Sequence, residues 1–454
     1  MGTKDILLGK IRSGEHLSTG NQLSLALRLG TPAIIAQLSS VVMQYIDSAM
    51  VGHLDSSSAA AISLVSTCLW LLGGLCFVCC NGFSVQVAHL VGANDFASAR
   101  KVVRQALTFA LIWSVALSLI GLAVAQRLPY WLGGSPEIAD MASGYFRICC
   151  LFLPLMQLDY MAATLLQCSG NMKIPSILNV IMCVLDVIFN YIFIYMMDMG
   201  VEGAALGSGL AEAVTAAAML YFLVFRSRDL RIVGEKGSFV PSGKILRKAA
   251  DIGLPMCLQS IIMRGAYIAG TVIVAPLGTI AIAANGFAIT AESFCYMPGY
   301  GISDATTTLV GQSLGAGRKS LAKRFGWINT VLGAGMMTAM AALMYLFAPE
   351  LIGVMSPDPE VIELGAKVLR IEAFAETMYG ASIILFGACV GAGDTLWPSI
   401  LNFSSMWILR IIPAVFLTKT YGLPGFWMAM AFELNARGLI FIIYYALRKF
   451  RSVS

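Results

Sequence analysis

Residues 87–101 read VAHLVGANDFASARK, and residues 310–324 read VGQSLGAGRKSLAKR. The two stretches share Gly92/Gly315, Ala93/Ala316 and Ala99/Ala322, and basic residues close each one. The same spacing recurs elsewhere. Pro32 of RLGTP answers Pro255 of DIGLP, and PSILN at 175–179 returns unchanged at 398–402. One offset of 223 residues, held through separated places, marks an internal duplication rather than chance. The chain is therefore two homologous halves that meet at the basic stretch 228–248.

Outward from these stretches the chain is apolar: 58% hydrophobic and 12% charged over 454 residues, with mean hydropathy +0.79. A soluble protein carries about twice that charged fraction. Apolar runs of about 20 residues or more recur, long enough to cross a bilayer as helices. Continuous runs, rather than ten-residue alternation, point to helices and away from a barrel. The expected class is an all-α polytopic membrane protein with about twelve spans. They fall near 24–52, 59–88, 105–132, 139–168, 174–198, 202–226, 248–277, 280–313, 328–355, 360–391, 396–419 and 424–447. Six spans per half is an even number, so both halves begin on the same side. Such a repeat is parallel, related by a pseudo-two-fold along the membrane normal, and two like bundles that rock against each other suit alternating access. The expected division is a segment 1–22, a first lobe 23–227, the linker 228–248, a second lobe 249–447 and a tail 448–454. The polar first twenty residues do not read as a signal peptide. The 44 glycines fit close helix packing.

Lys and Arg set the orientation. Arg100, Lys101 and Arg104 follow span two, Arg318, Lys319, Lys323 and Arg324 follow span eight, and Arg228, Arg231, Lys236, Lys244, Arg247 and Lys248 fill the linker region. The opposite loops are neutral or acidic, as at Asp198 and Glu202. The positive-inside rule puts both termini in the cytoplasm of a cell whose inner or plasma membrane holds the protein. The net charge of +5 is a lipid-facing collar and calls for no nucleic acid. Nearly all of the eleven Cys sit in apolar runs, and Cys76 and Cys79 alone make a weak metal motif. With three His and no HExxH or nucleophile elbow, an enzyme is not expected; with no GxxxxGK[ST], neither is a primary pump.

Along its full length the chain resembles the multidrug and toxic compound extrusion (MATE) family of cation-coupled exporters. The resemblance rests on IDSAMVG in span one, on VGANDFASAR and its repeat VGQSLGAGRKSLAKR, and on GVEGAALGSG opening span six. It implies two six-helix lobes in a V. It also implies export of amphipathic, often cationic compounds in exchange for Na⁺ or H⁺, with no other cofactor and with the monomer as the working unit.

Ionisable residues inside spans are costly, about 2.5–3.5 kcal/mol at a helix centre, and are functional candidates by default. Asp47 aligns with the family's first-helix aspartate, which the resemblance implicates in cation coupling; the alternative is a hydrogen bond between helices. Asn179, Asp186 and Asn190 fall at i, i+7 and i+11, one face of a helix. Asp186 and Asn190 match the family's Asn and Asp with the types exchanged, and Ser208 takes its small hydroxyl position, with Glu212 one turn on. Asp159 lies near a further polar position. The candidate cation-coupling cluster is Asp47, Asp159, Asp186, Asn190 and Ser208. Its oxygens suit a small alkali cation such as Na⁺, or burial suits its carboxyls to carry H⁺.

The second half departs from the family pattern: Met263 and Tyr379 stand where one branch has acids. Glu292 is left as the central acid, with Glu376 about one turn from Tyr379, and Arg264 is placed to neutralise either. Glu292, Arg264 and Glu376, with Tyr45, Tyr296 and Met297, are the candidate substrate cavity; Met43 and Phe294 are further aromatic or flexible linings. The expected function is secondary efflux of small organic molecules by alternating access. The alternative is a flippase for lipid-linked sugars, which would need a broad cationic cavity.

Overall fold

A computed structural model describes residues 3–52, 56–234 and 237–448. In chain order the helices are α1 (Thr3–Ser13), α2 (Thr19–Gly52), α3 (Ser56–Gly92), α4 (Phe96–Val124), α5 (Leu128–Trp131) and α6 (Pro136–Cys168). They continue as α7 (Lys173–Asn190), α8 (Gly200–Tyr221), α9 (Gly243–Val274), α10 (Thr279–Gly315), α11 (Lys319–Leu346) and α12 (Ala348–Gly353). The last are α13 (Pro359–Ala373), α14 (Glu376–Gly391), α15 (Leu396–Ser404), α16 (Ile412–Tyr421) and α17 (Leu423–Leu447). π-helical turns extend α7 (Tyr191–Met196) and α8 (Phe222–Arg226) and join α15 to α16 (Ser405–Ile411). No strand forms among the described residues. Among the described residues, eleven helical segments are long and apolar enough to cross a membrane, and α13 with α14, bent by 57°, makes a twelfth span.

Both ends of spans three and nine move. Span three ends at Val124 rather than near 132, and span nine runs Lys319–Leu346, with α12 a separate helix. The basic residues assigned to loops, Arg100, Lys101, Arg104, Lys319, Lys323 and Arg324, lie inside α4 and α11. Hydropathy marks the stretch that sits in lipid, whereas a helix continues until its backbone is capped.

The duplication is written into the backbone. Asn94 and Gly317, and Gly170 and Gly393, are left-handed pairs at the same 223-residue offset. Each of the first pair precedes a cap with the same dihedrals, Asp95 (φ −88°, ψ 72°) on α4 and Arg318 (φ −94°, ψ 68°) on α11. The chemistry at the caps has diverged. Asp95 accepts from the Ser98 amide at 3.0 Å, while Arg318 donates to the carbonyls of Lys10 and Ile11 and holds α1.

The chain divides into two compact units, Leu38–Cys257 and Met1–Gln37 with Leu258–Ser454. The division passes through α2 and α9, a few residues beyond Pro32 and Pro255, the repeat-related prolines inside them. Two glycines explain which unit each half-helix joins. Gly301 brings α10 so near the first part of α2 that a Cβ would lie 2.6 Å from the Ile34 nitrogen, and Gly82 brings α3 closer still to α9, against the Ala249 carbonyl oxygen. Backbone meets backbone at both places, as small residues allow in membrane proteins. Within Leu38–Cys257 the core gathers Phe83, Val87, Met161, Leu165 and Leu223. In the other unit it gathers Ala284, Ala288, Ile352, Leu369 and Trp427.

Candidate functional site: one acidic centre in each unit

In the unit Leu38–Cys257, α7 carries Asp186 and Asn190 one turn apart, both buried (1% and 2% exposed), and α2 carries half-buried Asp47. The Asn190 amide uses its two hydrogens on two acids. It donates to Asp47 Oδ1 at 3.1 Å and to Asp186 Oδ2 at 3.2 Å. The two carboxyl groups also stand within hydrogen-bond reach of each other. Like charges that close repel, and a cation or a proton between them relieves it. The Asn190 Oδ1 is buried, accepts nothing among the described residues and lies against Gly207 of α8.

Gly207 of α8 makes the arrangement possible. A Cβ there would collide with Asn190 Oδ1 and stand 2.8 Å from its backbone nitrogen. The neighbouring Ser208, the expected hydroxyl ligand, is exposed, and its hydroxyl makes no hydrogen bond among the described residues. The reason is angular: one residue along a helix turns the side chain about 100° away. Asp159 on α6 is buried, with its Oδ1 unpartnered among the described residues, and is in electrostatic reach of Glu212 rather than in the hydrogen-bonded group. Glu212 itself feels both Asp159 and Asp186. Asn179 donates to Ser40 Oγ at 3.0 Å and so fastens α7 to α2. Tyr45 is half-buried two residues before Asp47, and Tyr195 donates to the Met50 carbonyl at 2.8 Å, tying the π-turn after α7 to the end of α2.

The second centre lies in the other unit. Glu292 of α10, Glu372 of α13 and Glu376 of α14 are all buried and bring carboxylate oxygens within 4.8 Å of one another. Glu372 and Glu376 flank the bend between α13 and α14, where the break turns both side chains inward on Glu292. Both oxygens of Glu372 lack a hydrogen-bond partner among the described residues. Broken helices at membrane depth are where transporters build polar sites.

The guanidinium groups that act on Glu292 are those of Arg410 and Arg437; Arg264 is half-buried on α9. Arg410, set in the π-turn Ser405–Ile411, donates to Glu433 Oε2 at 2.9 Å, and Arg437 donates to the same oxygen at 3.1 Å. Ser405 gives Glu433 Oε1 a further bond at 2.7 Å. Tyr379 lies under the Arg437 guanidinium, 5.4 Å from it, and packs against Tyr296 at 5.7 Å. Met263 sits against Ala266, Met406 and Ile411, an apolar setting that has no use for a carboxylate. Met297 is half-buried beside Tyr296.

Sequence reasoning passed over Glu372, Arg410, Glu433 and Arg437. The available signal was EAFAE at 372–376, two acids one turn apart in an apolar run, with charges in the last two spans.

A polytopic helical protein with duplicated halves and a buried acidic centre in each unit has the make-up of a membrane transporter. The MatE family profile matches residues 32–192 and 255–416, the two repeats found above, and the chain belongs to the MATE family. A Thermotoga maritima protein named "Probable multidrug resistance protein NorM" is 24% identical over 92% of this chain and 91% of its own. "Multidrug resistance protein MdtK" of Yersinia pestis is 25% identical over 92% and 93%. Among solved structures, a MATE protein in complex with MaL6 superposes with TM-score 0.91 at 20% identity, covering 99% and 98% of the two chains. A Vibrio cholerae MATE transporter, VcmN, superposes with TM-score 0.86 at 18% identity over 98% and 97%.

Proposed function

We propose that this chain is a secondary active exporter of amphipathic, cationic small molecules, driven by antiport of Na⁺ or H⁺ through alternating access. The observation that carries the reading is Asn190 joining Asp47 and Asp186 in an apolar bundle. Two acids in lipid-facing helices are expensive to keep. The carboxylate oxygens of Asp47 and Asp186 are of the kind that hard cations prefer. An ion bound there drives export only if its affinity differs between the two conformations. Asp47 lies on α2, a helix that contributes to both compact units, which is where such a difference would arise.

The second centre takes the organic cation. Glu292, Glu372 and Glu376 offer negative charge, and Tyr296 and Tyr379 offer ring faces that attract cations. The names of the NorM and MdtK relatives support multidrug efflux. The protein works as a monomer in the inner or plasma membrane, with both termini cytoplasmic.

The test is efflux of a fluorescent organic cation from proteoliposomes under imposed Na⁺ or H⁺ gradients, comparing wild type with Asp47→Asn. Gradient-driven flux that disappears in the variant identifies the coupling ion and supports the reading. Undiminished driven flux in the variant returns Asp47 to helix packing. Absence of flux in the wild type under every gradient favours the lipid-linked sugar flippase.

A further inference from the structure

Span six ends in a pocket unrelated to either acidic centre. Arg100, Phe225, Arg226, Ser227, Arg228 and Arg231 enclose a cavity of about 320 Å³. Its frame is ordered. The backbone leaves the π-turn Phe222–Arg226 at Ser227 and folds back, so that the Ile232 amide donates to the Val224 carbonyl at 3.1 Å. Leu230 and Ile232 are buried in the apolar core beneath, and the Leu230 amide is capped by Ser227 Oγ at 3.2 Å. Two arginines of α4 fasten the loop from below: Arg100 donates to the Asp229 carbonyl at 3.3 Å and Arg104 to the Ile232 carbonyl at 3.4 Å.

The remaining three arginines are differently employed. Arg226, Arg228 and Arg231 are exposed, and none forms an ion pair among the described residues. The Arg226 guanidinium donates to the Tyr221 hydroxyl at 3.4 Å. Asp229 is on the same loop but does not line the cavity. Like charges held together on a pinned loop repel, and an anion shared among them relieves that repulsion.

We propose that this pocket binds the phosphate of an anionic phospholipid headgroup. Guanidinium forks match phosphate oxygens two at a time, which a scatter of lysines would not do. The position selects a lipid over a soluble phosphate. Gly200–Arg226 is a membrane span, so the cavity opens at the level where that span leaves the bilayer. Exposed Tyr221 and Phe225 stack beside it at 5.5 Å, an aromatic pair of the kind that settles among headgroups. Juxtamembrane basic residues on the cytoplasmic side meet the leaflet richest in anionic lipid. Because the pocket is attached to α4 and α8, an occupied headgroup would brace the ends of two helices in one unit.

The experiment titrates the full-length protein in neutral detergent with dioleoylphosphatidylglycerol, dioleoylphosphatidylcholine or inorganic phosphate, and counts bound molecules by native mass spectrometry. Phosphatidylglycerol should bind at concentrations where phosphatidylcholine does not. Arg228→Ala/Arg231→Ala should weaken it by about tenfold, the loss of charged hydrogen bonds. A control, Lys319→Ala/Arg324→Ala, removes the same charge from exposed positions in the other unit and should change binding by less than about twofold. Equal weakening in both double variants would reduce the site to diffuse charge and overturn the proposal. Displacement of phosphatidylglycerol by an equal concentration of inorganic phosphate would overturn it in favour of a soluble anion. Both sets of substitutions are at exposed side chains, and an unchanged melting temperature confirms that lost binding is not lost fold.

Discussion

A methyl group added at position 207 would land on the amide of Asn190, so the smallest side chain in α8 governs the most consequential polar contact of α7. Gly207→Ala alters no charge, yet α8 must shift or the Asn190 amide must turn away from Asp47 and Asp186. Overpacking of this kind costs about 1–3 kcal/mol. Driven efflux should fall nearly as far as in Asp47→Asn, with a lowered melting temperature; full activity would show that the Asn190 bridge is dispensable. Glu433 carries a different burden. It accepts from both Arg410 and Arg437 while fully buried, and its loss leaves two guanidinium groups without their acid. Breaking a buried pair from one side costs about 3–5 kcal/mol. Glu433→Gln should therefore be among the most destabilising neutralisations in the chain, read as thermal unfolding in detergent. Glu372→Gln removes one of three crowded acids, neither of whose two oxygens at position 372 accepts a bond among the described residues, and should be neutral or stabilising by the same measurement.

At the scale of the element, the two halves show one backbone serving two chemistries. Asp95 and Arg318 occupy equivalent caps, but only the aspartate can accept from the first-turn amides. Asp95→Ala should cost about 1 kcal/mol through the lost cap, whereas Arg318→Ala should loosen α1, seen as faster amide exchange at Leu7, Leu8 and Ile11, which it helps to bury. The Asp95 contribution is also dependent on pH. Its hydrogen bonds from Ser98 hold the carboxyl below its ordinary value of 3.8. A depressed value means that the stabilisation is present above that pH and is lost as pH falls through the folded-state value. The difference in melting temperature between wild type and Asp95→Ala should accordingly shrink below about pH 4. Span ten gives the converse lesson. Its bend falls between Glu372 and Glu376, a pair that a straight helix would stack one turn apart on a single face. In the bent form both meet Glu292 of α10.

Over the whole molecule, Asp47 with its Asn190 partner and Glu433 with Ser405, Arg410 and Arg437 each lie within one compact unit. Neutralisations in separate centres share no partner, so their effects on stability should add within about 0.5 kcal/mol. The double variant Asp47→Asn with Glu433→Gln should melt lower than wild type by the sum of the two single shifts; a clear excess or deficit would show the centres to be energetically linked. The class of the protein follows from the sequence alone, because the water-to-lipid transfer of apolar runs does not depend on what the runs pack against. The duplication was legible for a similar reason: Pro32 and Pro255, and the two PSILN stretches, are local signals at one spacing. Asp186 and Asn190 were legible as one helix face, since helical period is a local property. Ser208 and Glu372 were not. Whether a residue touches a site depends on how its helix is rotated and where it breaks. Close packing decides both, through Gly207 against Asn190 in one unit and the α13–α14 bend in the other. The sequence thus determined the class, the repeat and the acids available, while tertiary structure decided which of them meet, because rotation and bending are set by contacts between helices distant in the chain.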